Sequence, residues 1–140
     1  MEIQPDPHQI VTKLLEQDPF SQWMGIEVLE AKKGYCKCRC SINKSMLNGF
    51  SVTHGGILFS LADTTLAFAA ATFGKISLAI EHSISFINKT EADTILISEA
   101  TCLHMGSKTG VIKVDIYDSE NNLVATSKGM VYRGDKNIHS

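Results

Sequence analysis

Apolar residues recur along this chain with two different spacings. From Tyr35 to Ile42, Cys36, Cys38, Cys40 and Ile42 alternate with Lys37, Arg39 and Ser41, the period of two that a half-buried strand requires. The segment Leu78 to Ile87 does the same, setting Ile80, His82, Ile84 and Phe86 against Glu81, Ser83 and Ser85, so the first set is expected to face a covered side. Further strands are expected at Ile26 to Lys32, Thr94 to His104, Thr109 to Tyr117 and Leu123 to Tyr132, with turns at Gly34, at Met105-Gly106-Ser107-Lys108 and at Asp118 to Asn122. A first helix is placed at His8 to Gln17 with Ile10, Leu14 and Leu15 on one side, ended by Asp18-Pro19.

Between the two strand groups the pattern changes. After the turn pair Asn48-Gly49 and the sequence Thr53-His54-Gly55-Gly56, the residues Ile57, Leu58, Leu61, Leu66, Phe68 and Phe73 recur among alanines, which reads as a buried helix. Asp63 is the only charged residue between Lys44 and Lys75. An ionised carboxylate on such a helix is disfavoured by several kcal/mol unless it is paired or hydrogen-bonded. Asp63 is therefore either the cap of a second helix beginning at Thr64-Thr65, part of a polar stripe, or a functional group.

Gly55 and Gly56 open this helix, where the first amides have no partner within the turn. Free donors at the positive end of a helix suit a developing oxyanion. Each element has a structural reading too: a tight helix entry for the glycines, a cap or packing group for His54. If Gly55 polarises a carbonyl and Asp63 attacks it or activates water against it, the eight intervening residues separate the two by roughly 12 Å of helix rise. One aspartate side chain does not span that distance. The two groups must then come from different copies of the chain with their helices antiparallel, and a dimer is expected.

Met46-Leu47-Asn48-Gly49, His54-Gly55-Gly56 and Leu58-Phe59-Ser60-Leu61-Ala62-Asp63-Thr64 resemble the hotdog-fold acyl-CoA thioesterases, and within them the PaaI group of phenylacetate degradation. The likeness continues more loosely through Phe86, Gly106 and Lys108-Thr109-Gly110, covering roughly Phe20 to Arg133. It implies an α+β hotdog fold in which an antiparallel sheet of five to six strands wraps a long central helix. It also implies a homodimer at minimum, with a homotetramer, a dimer of dimers, expected, and active sites at the dimer interface. By the same resemblance Asp63 is the general base or nucleophile, Gly55 supplies the oxyanion-stabilising amide, Asn48 orients water or the carboxylate, and His54 supports the thioester end.

The chain departs from the family at two places. Leu78-Ala79-Ile80-Glu81 has no hydroxyl residue where many relatives place one, and Phe86-Ile87-Asn88-Lys89 lacks a proline. Lys89, Lys108 and Arg133 are the candidate contacts for the phosphates of coenzyme A, against the alternative of solvated strand edges. The implied reaction is hydrolysis of an aryl-acetyl or medium-chain acyl-CoA. An enoyl-CoA hydratase or dehydratase on the same fold, or a binder of acyl-CoA without turnover, are the alternatives.

Composition narrows the setting. At 140 residues, 44% of them hydrophobic and 20% charged, the chain suits a single domain over 1–140, with a helical lead-in at 1–24 and a frayed tail at 134–140. A net charge of −2 gives no basic footprint for nucleic acid. No secretion signal opens the sequence and Asp63 interrupts the longest apolar run, so no membrane association and a cytoplasmic location are expected. Thiols two apart on a strand stand roughly 7 Å from each other, which is poor spacing for a zinc site. Buried, reduced cysteines are expected, with no metal and no cofactor beyond the coenzyme A of the substrate.

Overall fold

The computed structural model describes residues 5–138. Helix α1 (Pro7–Glu16) is capped by Asp6, whose side chain accepts from the Gln9 amide at 3.3 Å. Its apolar side meets the core through Ile10 and Val11, with Leu14 and Leu15 half-buried beside them. Asp18-Pro19 ends α1 as expected, and it also starts a second short helix, α2 (Pro19–Trp23), which the sequence reading lacked. The same residues serve both purposes: Pro19 is tolerated in a first turn, and Asp18 accepts from the Ser21 amide at 3.0 Å.

Strands β1 (Glu27–Lys32) and β2 (Tyr35–Ser41) form a hairpin, followed by a single 3-10 turn at Lys44–Met46. The hairpin turns at Gly34, whose φ of +79° lies in the left-handed region. Helix α3 (Gly55–Ala71) comes next, then β3 (Lys75–Phe86), β4 (Ile95–Met105), β5 (Thr109–Tyr117) and β6 (Leu123–Asn137). The strands make one six-stranded sheet in the order β1-β2-β4-β5-β6-β3, antiparallel at every pairing. The sheet curls around α3, which is the hotdog arrangement.

The core lies between helix and sheet. Leu61, Ala62, Leu66, Ala69 and Ala70 of α3 are fully buried against Cys36, Cys38, Cys40, Leu96, Ile112 and Val114 of the strands. Full burial of a leucine in this setting contributes about 1.5–3 kcal/mol. Because α3 is buried on most sides, its one interior hydroxyl, Thr65, is satisfied twice, by the Leu61 carbonyl at 2.7 Å and by Ser98 Oγ at 2.5 Å. The helix runs unbroken through Asp63, so that residue caps nothing.

Two expectations fail at the ends of strands. Gly134–Asn137, read as part of a frayed tail, continues β6, because β3 begins at Lys75 and supplies partners: Ser77 pairs with Arg133 and Lys75 with Asn137. His139 and Ser140 lie outside the described residues. The covered face expected of β3 holds only in part: His82 and Ile84 turn inward, whereas Ile80 and Phe86 are exposed, as is Leu78 before them at 70%. Strand β3 is one of the two edges of the sheet, β1 being the other, and a register shift between Ala79 and Glu81 re-aims the residues beyond it. Among the described residues no helix is long and apolar enough to cross a membrane.

Candidate active site

The loop entering α3 is tied at several points. The Asn48 side-chain oxygen accepts from the amides of Phe50 at 2.9 Å and Val52 at 3.3 Å, while the Asn48 amide donates to the Val52 carbonyl at 2.8 Å. Ser51 sits at φ +62°, a conformation the closed turn enforces. Thr53 then anchors the loop to Thr90, with hydroxyl oxygens 2.8 Å apart, and the His54 amide donates to the Met46 carbonyl at 2.8 Å. Asn48 thus spends its oxygen on the loop, leaving its NH2 as the group able to meet a ligand.

His54 caps α3. Its Nδ1 accepts from the Gly56 amide at 2.8 Å, so the hydrogen of the neutral ring is on Nε2. The structural reading of His54 is therefore realised, and its exposed ring edge can only donate. The Ile57 and Leu58 amides both donate to the His54 carbonyl, at 2.9 and 3.3 Å. Of the first four amides of α3, whose partners must come from outside the regular ladder, the Gly55 N–H alone has none among the described residues. That is the free donor an oxyanion needs.

Phe86 packs directly on Gly55: a Cβ there would stand 3.1 Å from Phe86 Cζ. The same end of the molecule holds a cleft of about 260 Å3, lined by Asn48, Gly55, Leu58, Phe86 and Lys89 among others. The cleft is mixed in character, apolar along Leu58 and Phe86 and polar at Asn48 and Lys89. It suits a molecule with an apolar arm and a charged end.

Asp63 stands farther along the helix with its side chain 43% exposed. Its Oδ1 lies 2.9 Å from His82 Nδ1, and His82, whose side chain is only 3% exposed, meets Ser127 Oγ through Nε2 at 3.0 Å. The alternation of β3 in the sequence sets His82 only among positions expected to be covered. Its apolar neighbours on β3 concealed the pairing, because the partner projects from α3 and only tertiary structure brings the two together. The neighbouring position is anchored as well: Thr64 Oγ1 is 3.1 Å from Ser21 Oγ, which donates to Asp18 at 2.6 Å.

Within one chain the candidate residues form two groups. Asn48, His54, Gly55 and Lys89 gather at the start of α3, with Asp63 roughly 12 Å along the helix axis. Lys108 and Arg133 lie at the other end, joined by the Arg133 amide donating to the Lys108 carbonyl at 2.6 Å. The Arg133 guanidinium is 6.0 Å from the Phe73 ring centre and donates to the Gly106 carbonyl at 3.3 Å. Since Phe86 pairs with Ala125 and Ser77 with Arg133, about 30 Å of strand separates this end from Lys89. One chain does not bring the three cations to one phosphate.

The four cysteines are free, three of them buried. Burial pushes the Cys40 thiol up to about 11. Cys36 is also raised, first by its hydrogen-bonding contact with the Cys38 sulfur and then by burial, while the same contact lowers Cys38. The two sulfurs are 3.8 Å apart, closer than the roughly 7 Å expected of alternate strand positions, because both side chains turn toward each other on the covered face. Cys36, Cys38 and Cys40 are fully buried and pack in the core. Among the described residues no three His, Cys, Asp or Glu side chains are grouped to hold a metal ion.

Comparison with known proteins gives one consistent result. Residues 50–125 match the model of the family described as the thioesterase superfamily. Over 120 residues, 86% of this chain, the sequence is 32% identical to the acyl-coenzyme A thioesterase PaaI of Escherichia coli K12, 86% of which is covered. It is 38% identical over 120 residues to a putative esterase of Archaeoglobus fulgidus, covering 86% of this chain and 78% of that one. The solved structure of the E. coli PaaI protein, from the phenylacetic acid degradation operon, superposes with a TM-score of 0.93 at 29% identity, over 99% of this chain and 100% of that chain.

Proposed function

The chain belongs to the thioesterase superfamily and is a thioester hydrolase of the hotdog fold, and from that premise we propose that it hydrolyses aryl-acetyl or medium-chain acyl-CoA at a site shared between two copies. The observation that carries this reading is the amide at the start of α3, on Gly55, that has no partner among the described residues, together with a half-exposed carboxylate on the same helix. The acyl carbonyl oxygen lies at the Gly55 N–H of one copy. Asp63 of the second copy takes the proton of an attacking water, or attacks the carbonyl itself. The tetrahedral oxyanion is held by the Gly55 amide and collapses with departure of the coenzyme A thiolate, which takes up a proton; where Asp63 itself attacks, water then opens the acyl–aspartyl anhydride to the free acid and the Asp63 carboxylate. A thiol of ordinary pKa, about 8.5, leaves without a strong acid, and no metal or redox cofactor is called for.

Assembly follows from the same geometry. Edge strand β3, with Leu78 and Ile80 exposed, is a surface that a second copy covers, and dimers pair further into a tetramer. With the α3 helices antiparallel, the far end of one copy approaches the Gly55 end of the other. Lys89 from one copy and Lys108 and Arg133 from the other then serve the same coenzyme A phosphates. The E. coli protein of the phenylacetic acid degradation operon supports an aryl-acetyl substrate, and free, buried thiols suit a cytoplasmic enzyme.

Hydration of an enoyl thioester is the weaker reading, because His54 Nδ1 is committed to the Gly56 amide and leaves no free ring acceptor to act as its base. The test is release of free coenzyme A from phenylacetyl, hydroxyphenylacetyl, benzoyl and straight-chain acyl thioesters, by wild type and Asp63→Ala. Release that is lost in Asp63→Ala establishes hydrolysis and ranks the acyl groups. A wild type that binds the esters and releases no coenzyme A overturns the reading.

A further inference from the structure

We propose that His82 is a positioning residue for the hydrolysis: it holds one oxygen of Asp63 in place, leaving the other to meet water, and is itself set by Ser127. The inference rests on the reading of Asp63 as the group that drives attack. An ionised carboxylate only accepts hydrogen bonds, so the 2.9 Å contact with Asp63 Oδ1 is made by His82 Nδ1–H. The ring is enclosed. The Phe59 ring lies 5.0 Å from it, centre to centre, at 47°, and Gly129 leaves space that the imidazole borders. A Cβ at Gly129 would stand 3.2 Å from His82 Cδ2 and 2.6 Å from Leu66 Cδ1. Phe59 is one turn before Asp63 on α3, so the helix carries both the carboxylate and the wall of the ring that orients it.

Aspartate, histidine and serine in a line are also the parts of a serine hydrolase, and burial decides between the two uses. In that mechanism the serine faces substrate and the aspartate is buried behind the ring. Here the order is reversed. Ser127 is 5% exposed and its Oγ lies 3.2 Å from the Val114 carbonyl, whereas the Asp63 side chain is 43% exposed. The end of the line that reaches substrate is the carboxylate.

Ser127 gives this arrangement a tolerance that a fixed donor lacks. Its hydroxyl has one hydrogen and two acceptors within reach, the Val114 carbonyl and His82 Nε2. Turned toward Val114, it leaves Nε2 to donate; turned toward Nε2, it leaves the ring neutral. Neither turn moves the ring or breaks the Nδ1–H bond to Asp63. The carboxylate is therefore held alike in both charge states of the histidine.

The test compares His82→Leu, His82→Asn and Ser127→Ala, with folding checked by thermal melting. His82→Leu is expected to lower kcat ten- to a hundredfold with KM within about threefold of wild type, the loss that follows when a reacting group is misplaced. His82→Asn, whose amide can donate near the former Nδ1, is expected to restore most of that loss. If His82→Leu does not fold, Ser127→Ala, which removes only the hydroxyl, is expected to lower kcat severalfold. Side-chain 1H–15N spectra are expected to show a protected His82 Nδ1–H that shifts in Asp63→Ala. A folded His82→Leu with unchanged kcat, equal losses in His82→Leu and His82→Asn, or an Nδ1–H indifferent to Asp63→Ala each overturn the positioning role alone. A wild type that hydrolyses no thioester overturns the hydrolase reading and the positioning role with it.

Discussion

Asp63→Asn is expected to lower turnover on the preferred acyl-CoA by about a hundredfold or more, corresponding to roughly 2.7 kcal/mol of transition-state stabilisation. The substitution isolates charge from shape. Asparagine has the size of aspartate and keeps an oxygen that accepts from His82 Nδ1–H, so the contact seen at 2.9 Å and the packing of α3 survive. What is lost is the group able to take a proton from water or attack a carbonyl. Binding is expected to change little, because the side chain is half-exposed and pairs with protein. Steady-state coenzyme A release gives kcat, and calorimetry with a non-hydrolysable thioether analogue gives affinity. Turnover within a few-fold of wild type would remove Asp63 from the mechanism.

The residues on which this prediction rests were legible in the sequence because each violates the expectation for its surroundings. A lone carboxylate on an otherwise apolar helix and a glycine pair at the helix start are local signals, and both keep their places in the structure. What was not legible depends on contacts between distant segments. His82 looks like one more member of an apolar strand face until α3 brings Asp63 to it. The end of β6 looks like a polar tail until β3 offers a ladder for it. Lys89, Lys108 and Arg133 look alike as basic residues near turns, yet strand register sets them at opposite ends of the sheet.

Local chemistry also carried more than one meaning at some positions. Asp18-Pro19 is a helix stop and a helix start at once, and sequence alone reported only the first. Asn48 and His54 matched a site pattern and a turn-and-cap pattern equally well. The structure assigns the Asn48 oxygen and His54 Nδ1 to backbone amides, so both build the loop, and their remaining N–H groups are what they can offer a ligand. The inward face of β3 changes from odd to even positions across the register shift between Ala79 and Glu81, with Ser77 turned inward before it and His82 and Ile84 after it, and a bulge of this kind leaves no mark on the apolar pattern.

Gly55→Pro is expected to reduce kcat by about 10²–10³, the loss found when one oxyanion donor is removed, while Gly55→Ala stays within a few-fold of wild type. Position and backbone make this pair informative. Gly55 is the first residue of α3, the position where proline is favoured in helices because its N–H is not needed by the ladder. His54 before it is already extended, at φ −62° and ψ 135°, as a residue preceding proline must be. Both variants add a Cβ at 3.1 Å from Phe86 Cζ, the far end of a half-exposed ring that can swing aside, so that contact is common to the two. Only proline removes the amide hydrogen. Equal losses in the two variants would assign the effect to Phe86 and the cleft. Mixing then locates the second half of the site. When Gly55→Pro and Asp63→Asn chains reassort freely, half of the dimers are mixed and each has one intact site, so about a quarter of wild-type activity is expected to return if the site spans two copies. No return above the mean of the two parents would place both groups in one chain, against the roughly 12 Å of helix that separates them.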